Sequence, residues 1–359
     1  MLKKLDYYIL RKFLGTFFFI IAVFILIAVV FDISEKIDDF LEEDVTVNEI
    51  IFDYYFSFMP WIYSTLAPLL VFIAVILFTS KMASQTEIIP ILSAGVSFNR
   101  LLRPYFVGAF ILLIISLFMS HFVIPKTNKN KIEFEKKIYF GHYDYNNSNL
   151  YKEIKPNHYI FVKTYSKSAD IAYDFKYDVI EDGELQYRFA ANNIKWNEES
   201  KSWLCKNWHE RKTVDGQLTL HQGSLRDTVL GFNNKEFHKE KRLITTMNSF
   251  ELSDYIASEK AKGSRYTKDY EMEMIKRTAI PFSIIILTFI GVCIASKKSK
   301  GGTGADIAYG LGLASSYVFL GKIGEVFAVN TPISTELAIW IPNIVYAVIA
   351  IFIYRLAPK

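Results

Sequence analysis

FLGTFFFIIAVFILIAVVF, residues 13–31, is nineteen residues without a charge. As a helix, a run of that length crosses a hydrocarbon core of about 30 Å. The chain continues as FDISEKIDDF from Phe31, with no small-residue cleavage site. The run therefore reads as a retained span and not as a removed leader. Five more apolar runs lie at about 54–79, 104–125, 275–296, 304–326 and 337–354, each close to or above the length a spanning helix needs. Pro60, Pro68, Pro281 and Pro342 fall in or near them. Membrane bundles tolerate such prolines because neighbouring helices satisfy the freed carbonyls. Of the 359 residues, 51% are hydrophobic, and their concentration into blocks excludes a soluble enzyme. A net charge of +4 gives no argument for a nucleic-acid partner.

Basic residues set the expected orientation. Lys3, Lys4, Arg11 and Lys12 precede the first run, whereas residues 32–53 hold nine acids and one base, Lys36. That asymmetry places the N-terminus in the cytoplasm. Alternation then puts Lys81, Arg100, Arg103, Lys297, Lys298, Lys300, Arg355 and Lys359 on the same side, and the segment after the third span outside. Lys276 and Arg277 fall on the outer side, next to a long translocated segment, where the rule is weak.

That segment, 126–270, changes rhythm. YIFVKTY (159–165), IAYDFKYDVI (171–180), LQYRFAANNIKW (185–196), SWLCKNWHERKTV (202–214) and QLTLHQ (217–222) read as strands separated by turn residues. Short strands at even spacing predict an all-β sandwich or jelly roll. Residues 123–139 read as a charged helical extension of the third span, and 251–275 as a helix leading into the fourth, with Ser253 as its N-cap. The expected organisation is three spans (1–125), an inserted β-domain (126–270) and three spans (271–359).

Motifs for chemistry are absent. Cys205 and Cys293 fall in different compartments under this topology and read as small apolar fillers. His121, His142, His158, His209, His221 and His238 are scattered, without zinc spacing, and Trp196, Trp203 and Trp208 read as packing. GVCIASKKS at Gly291 lacks the glycine a phosphate loop needs before its lysine, and it ends a span. GGTGAD (301–306) has no preceding strand and reads as a helix start. No catalytic, cofactor or metal residue is assigned to this chain.

Two patterns remain. Gly304, Ala308, Gly312 and Ser316 recur every four residues on span five, widened by Gly310 and Ala314, and permit close helix approach within the subunit or with another. Charges cluster at the outer ends of two spans: Asp32, Glu35 and Lys36 on span one, Lys322 and Glu325 on span five. Mutual pairing at the interface explains them, and so does a charged rim near an outer-leaflet cavity.

Between spans two and three, SKMASQTEIIPILSAGVSFNR (80–100) is longer than a turn needs. It predicts a short helix near 84–95, with Ile88, Ile91 and Leu92 on one face, Ser84 and Glu87 at capping-box spacing, and Gly95 as the stop. Pro90 moves the expected start toward Thr86 or Glu87. Docking into another protein's groove and lying on lipid account for such a face equally well.

TEIIPILSAGVSFNRLLRP resembles the segment after span two of the lipopolysaccharide export permeases, the LptF/LptG family: an acid (Glu87), an apolar patch (Ile88 to Leu92), Ala94-Gly95, Ser97 and Arg103-Pro104. LDYYILRKFLGTFFF, MIKRTAIPFSIIILTFIGVCIA, WIPNIVY and the order of elements are similar too. The resemblance covers nearly the whole chain; Pro90 departs from it. It implies six transmembrane helices with a periplasmic jelly-roll-like domain, in the inner membrane of a Gram-negative bacterium. It also implies a cytoplasmic ABC ATPase dimer that uses ATP and magnesium, a second permease of the family, a single-span periplasmic accessory protein and a periplasmic bridge protein. Lipopolysaccharide would enter between the permeases, with spans one and five as gates. Asp32, Glu35, Lys36, Lys322, Glu325 and the span-five stripe would line that route, and Lys36 would meet substrate phosphates. Glu87, Ile88, Ile91, Leu92 and Gly95 would couple the ATPase to the spans. A lipoprotein-release permease fits less well, since its outer domain follows the first of four spans. A membrane receptor with a ligand-binding β-domain would not need the loop.

Overall fold

The computed structural model describes residues 3–42, 45–138, 147–166, 169–181, 183–198, 200–214, 217–234, 237, 243–261, 264, 266–296 and 302–356. His142, His238, Lys297, Lys298, Lys300 and Lys359 lie outside them. The chain divides into two units: one comprises residues 1–138, 245–252 and 268–359, the other 139–244 and 253–267.

The first unit is helical. Helix α1 spans Lys4–Glu42; a single turn, α2 (Val47–Glu49), leads through a π-helical turn (Ile50–Tyr55) into α3 (Phe56–Ser84). Short α4 (Ile88–Ser93) precedes α5 (Phe98–Phe118), a second π-turn (Met119–Val123) and α6 (Ile124–Ile138). After the β-domain come α7 (Ser249–Ala261), α8 (Thr267–Ala295), α9 (Gly302–Asn330) and α10 (Thr335–Leu356). Among the described residues, six helical runs are long and apolar enough to cross a membrane. They outrun their apolar cores: the first covers Lys4–Leu41 and the third Phe98–Glu135. Positions 126 and 271, where the composition changes, thus lie inside α6 and α8. The charged extension expected after the third span is α6. The helix expected over 251–275 is two helices, and its cap is not Ser253. Asn248 Oδ1 accepts the Glu251 N–H at 3.0 Å and Glu251 returns a bond to the Asn248 N–H at 2.9 Å, a reciprocal cap five residues earlier.

Helices α3 and α8 form the centre, with 61% of their apolar windows buried, against 17% for α1 and for α9. Leu70, Val71, Ala74, Val75, Ile284 and Val292 join Phe13 and Phe17 of α1 and Ala109 of α5 in one core. Helices α3 and α9 pack antiparallel along a small-residue seam. A Cβ added to Gly310 would lie 2.2 Å from Ile76 Cδ1, so any larger residue there would force the Ile76 side chain to move. At Gly324 a Cβ would lie 2.6 Å from the Ala338 carbonyl oxygen, which brings α9 equally close to α10.

The second unit holds one antiparallel sheet in the order β1-β2-β3-β4-β5-β6. Its strands are β1 (Asn147–Lys155), β2 (His158–Ser166), β3 (Ile171–Glu181), β4 (Glu184–Asn197), β5 (Ser202–Val214) and β6 (Gln217–Thr228). The expected all-β insertion is present. Every described strand pairs with its sequence neighbour, an up-and-down order without the crossovers that a jelly roll uses. Leu150, Ile160, Val162, Phe175, Phe189, Ile194, Trp203 and Cys205 make one face a core, on which Phe232 and Phe237 lie. Trp203 is fully buried and donates its indole N–H to the Phe232 carbonyl at 2.9 Å. On the same sheet, burial works to raise the Glu210 pKa, but bonds from Arg226 and Tyr187, both at 2.8 Å, outweigh it and hold the carboxyl below its usual range. Both cysteines are buried and free, and burial pushes the Cys205 thiol up to about 12.

Candidate functional site

The charged groups of the helical unit collect at the two ends of the bundle. At one end, α4 is held between two helix terminations of the same kind. Thr86 has φ +58 and closes α3: its N–H bonds the Ala83 carbonyl and the Glu87 N–H bonds the Met82 carbonyl at 2.9 Å. Gly95 has φ +83 and closes α4: its N–H bonds Leu92 and the Val96 N–H bonds Ile91. Both are Schellman arrangements, in which a left-handed residue lets the last carbonyls be satisfied. Gly95 is thus the expected stop. Pro90 is the third residue of α4, inside the first turn, where its missing N–H costs nothing. The expected capping box is not formed, because Ser84 ends α3 and its hydroxyl bonds the Lys81 carbonyl.

The orientation of α4 corrects a second expectation. Ile88 does not lie on a free face; it is 2% exposed and buried with Met82, Ala83, Phe98 and Leu101. Ile91 and Leu92 pack partly against the same core. What α4 leaves open is Ile89, 54% exposed, with Pro90 and the turn at Ala94 and Gly95. Glu87 is half-buried and accepts the Tyr8 hydroxyl of α1 at 3.3 Å. Beside it, buried Asp6 binds Arg100 at 2.5 Å and accepts the Lys3 N–H at 2.7 Å, which fixes the start of α1 to the start of α5.

The opposite end brings α1, α3 and α6 together. Asp32 pairs with Lys36 at 3.1 Å and accepts the hydroxyls of Tyr54 and Tyr55 at 3.2 and 3.1 Å. The π-turn carries both tyrosines toward one carboxylate; such turns recur where a helix is re-aimed for function. Lys36 also bonds the Tyr54 hydroxyl and lies 4.5 Å from its ring centroid. Lys131 of α6 lies 4.6 Å from the Trp61 ring and 5.1 Å from Phe58. Sequence reasoning found Asp32 and Lys36 and missed Tyr54, Tyr55 and Lys131, which no spacing ties to them. Glu35 is exposed and stands outside the cluster.

On α9, Glu325 sits between Lys322 at 3.1 Å and Lys276 of α8 at 3.0 Å. Lys276, which stood against the charge rule, is thus a partner of a carboxylate. The stripe divides. Gly304, Ala308 and Gly312 are exposed, and a Cβ at Gly304 or Gly312 would meet nothing within 4 Å. Ser316 bonds the Tyr346 hydroxyl at 2.6 Å. The within-subunit contact belongs to Gly310 and Ala314, two residues on from Ala308 and Gly312 and therefore on the opposite side of the helix, because they face Phe72 and Ile76. Among the described residues no group of three histidines, cysteines or acids could hold a metal ion.

Among the described residues, six helices of bilayer length interrupted by a sheet, with a short helix bracketed by two Schellman turns between the second and third, define a multi-pass membrane protein. The chain belongs to the family described as "Lipopolysaccharide export system permease LptF/LptG", which matches residues 7–356. It is a multi-pass inner-membrane protein and a transporter component. No curated protein matches it.

Proposed function

We propose that this chain is a permease subunit of an ATP-driven ABC transporter that extracts lipopolysaccharide from the inner membrane and passes it to a periplasmic bridge. Both termini and α4 are cytoplasmic in this reading, and the sheet is periplasmic, as the basic residues at the span ends suggest. The observation that carries it is α4. A six-residue helix, bracketed by the turns that end α3 and α4 and anchored by Ile88, presents Ile89 and Pro90 outward. That is a rigid surface for a cytoplasmic ATPase dimer, which binds ATP and magnesium; this chain needs no cofactor. The exposed face of α9 is offered to a second permease, and the Asp32–Lys36–Tyr54 cluster with Lys131 lies on the side from which an anionic lipid enters. A single-span accessory protein and the bridge protein would meet the sheet.

In this reading Glu87, which the Tyr8 hydroxyl already meets, pairs with a basic residue of the ATPase. Removing one partner of a buried pair costs roughly 2–5 kcal/mol, and about 1.4 kcal/mol is tenfold in affinity. Glu87→Lys is therefore expected to lower the amount of ATPase that co-purifies by tenfold or more, with the chain still inserted. A helix lying on lipid predicts no loss, since a lysine is favourable beside anionic headgroups. Unchanged ATPase recovery together with unchanged transport in vesicles would overturn the reading.

A further inference from the structure

Asp306 is 6% exposed, near the start of α9, and accepts a 2.6 Å hydrogen bond from the hydroxyl of Ser80, itself 2% exposed, in the last turn and a half of α3. The partners are 226 residues apart in sequence. Burying a carboxylate is costly unless it is partnered, and such a residue in a membrane bundle marks function more often than packing. Its position decides what it can do. Ser80 stands two residues before Met82 and three before Ala83, the carbonyls that cap α3 and start the turn into α4. Its neighbour Thr79 donates to the Tyr105 hydroxyl of α5 at 2.9 Å. Adjacent residues of α3 thus bind α5 and α9. Four residues along each helix from the Ser80–Asp306 bond, the tip of Ile76 packs directly on Gly310, 2.2 Å from where a Cβ would stand.

We infer that Asp306 is a positioning residue: its bond to Ser80 ties the start of α9 to the α4 end of α3, so that a displacement of α4 moves α9 with it. Gly310 supplies close contact, and contact alone lets two helices slide. The hydrogen bond fixes the register. This inference rests on the proposed permease function for its consequence, but not for the tie itself.

Two measurements on the full chain separate these. First, spin labels are placed at Ile89 of α4 and Leu311 of α9, both exposed, and distances are measured in lipid nanodiscs. Wild type should give one narrow distribution. Asp306→Ala and Ser80→Ala should broaden it about twofold, while Asp306→Asn, which keeps a carbonyl acceptor, should not. Equal widths in wild type and Asp306→Ala would overturn the tie. Should Asp306→Ala fail to fold, Ser80→Ala decides by the same criterion. Second, in the assembled transporter, Asp306→Ala should lower lipopolysaccharide moved per ATP hydrolysed by tenfold or more, with Asp306→Asn within twofold of wild type. Transport equal to wild type in Asp306→Ala, or loss as severe in Asp306→Asn, would overturn the positioning role. Failure of wild type itself to move lipopolysaccharide would overturn the proposed function and leave the label widths to decide the tie.

Discussion

Helices α1 and α9 are equally uncovered, with 17% of each apolar window buried, yet they are opposite in composition. Of the six spans, α1 has the most apolar window and α9 the least. The open face of α1 carries Phe18, Phe19, Leu26, Ile27 and Phe31, large side chains that suit lipid tails. The open side of α9 carries Gly304, Ala308 and Gly312 beside large side chains, Tyr309, Leu311, Val318 and Phe319. Small residues gain little from lipid, but they let another backbone approach. The two exposures thus differ in kind: α1 is uniformly large and apolar, whereas α9 interrupts such side chains with a strip of small residues, the strip that the proposed function assigns to a second permease.

The inner side of α9 offers the sharpest way to break this contrast. Gly324→Ala would set a methyl 2.6 Å from the Ala338 carbonyl oxygen, which belongs to the backbone of α10 and cannot swing aside. Overpacking typically costs about 1–3 kcal/mol. The upper end of that range is expected, read as a lowered thermal midpoint of the isolated chain. If the midpoint holds, α9 is not seated on α10. Gly312→Leu meets nothing within 4 Å, so the isolated chain should unfold as wild type does. Its effect should appear only on assembly, as reduced recovery of the second permease in a pull-down. Full recovery would show that this face meets lipid, and the contrast with α1 would fail. Phe19→Leu on α1, at a site 70% exposed, should change stability by less than about 0.5 kcal/mol and leave both midpoint and assembly unchanged.

How far the sequence could be read is set by the same physics. The six spans were legible because each run is long enough to cross the bilayer, and five of the six strands were legible because they are rich in aromatic and β-branched residues. The sixth, β1, hides in SNLYKEIK. An edge strand carries charge to stay unpaired on its outer side, and charge erases the alternation. The existence of α4 was legible from Gly95 and the apolar patch, but not which isoleucine turns inward, because Ile88 and Ile89 are equivalent in type. The small stripe was legible as a stripe, and the structure moves its packing side to Gly310 and Ala314. Asp306 looked like part of a glycine-rich helix start; nothing local links it to Ser80. Tyr54 and Tyr55 are hidden for a similar reason, since the π-turn that aims them leaves no residue signature.

The two left-handed turns that bracket α4, Thr86 closing α3 and Gly95 closing α4, differ in one respect that bears on how force would travel. Gly95 reaches its left-handed backbone without strain and keeps wide freedom around it. Thr86 reaches the same region as a β-branched residue, at a cost of roughly 1–3 kcal/mol, in a narrow well. A short bar with a stiff joint at one end and a compliant joint at the other does not share a load equally. If α4 has the proposed coupling role, torque on it would pass into α3 through Thr86 and be absorbed at Gly95 before α5. The loop would then be a crank with a preferred output shaft, the helix bearing Ser80.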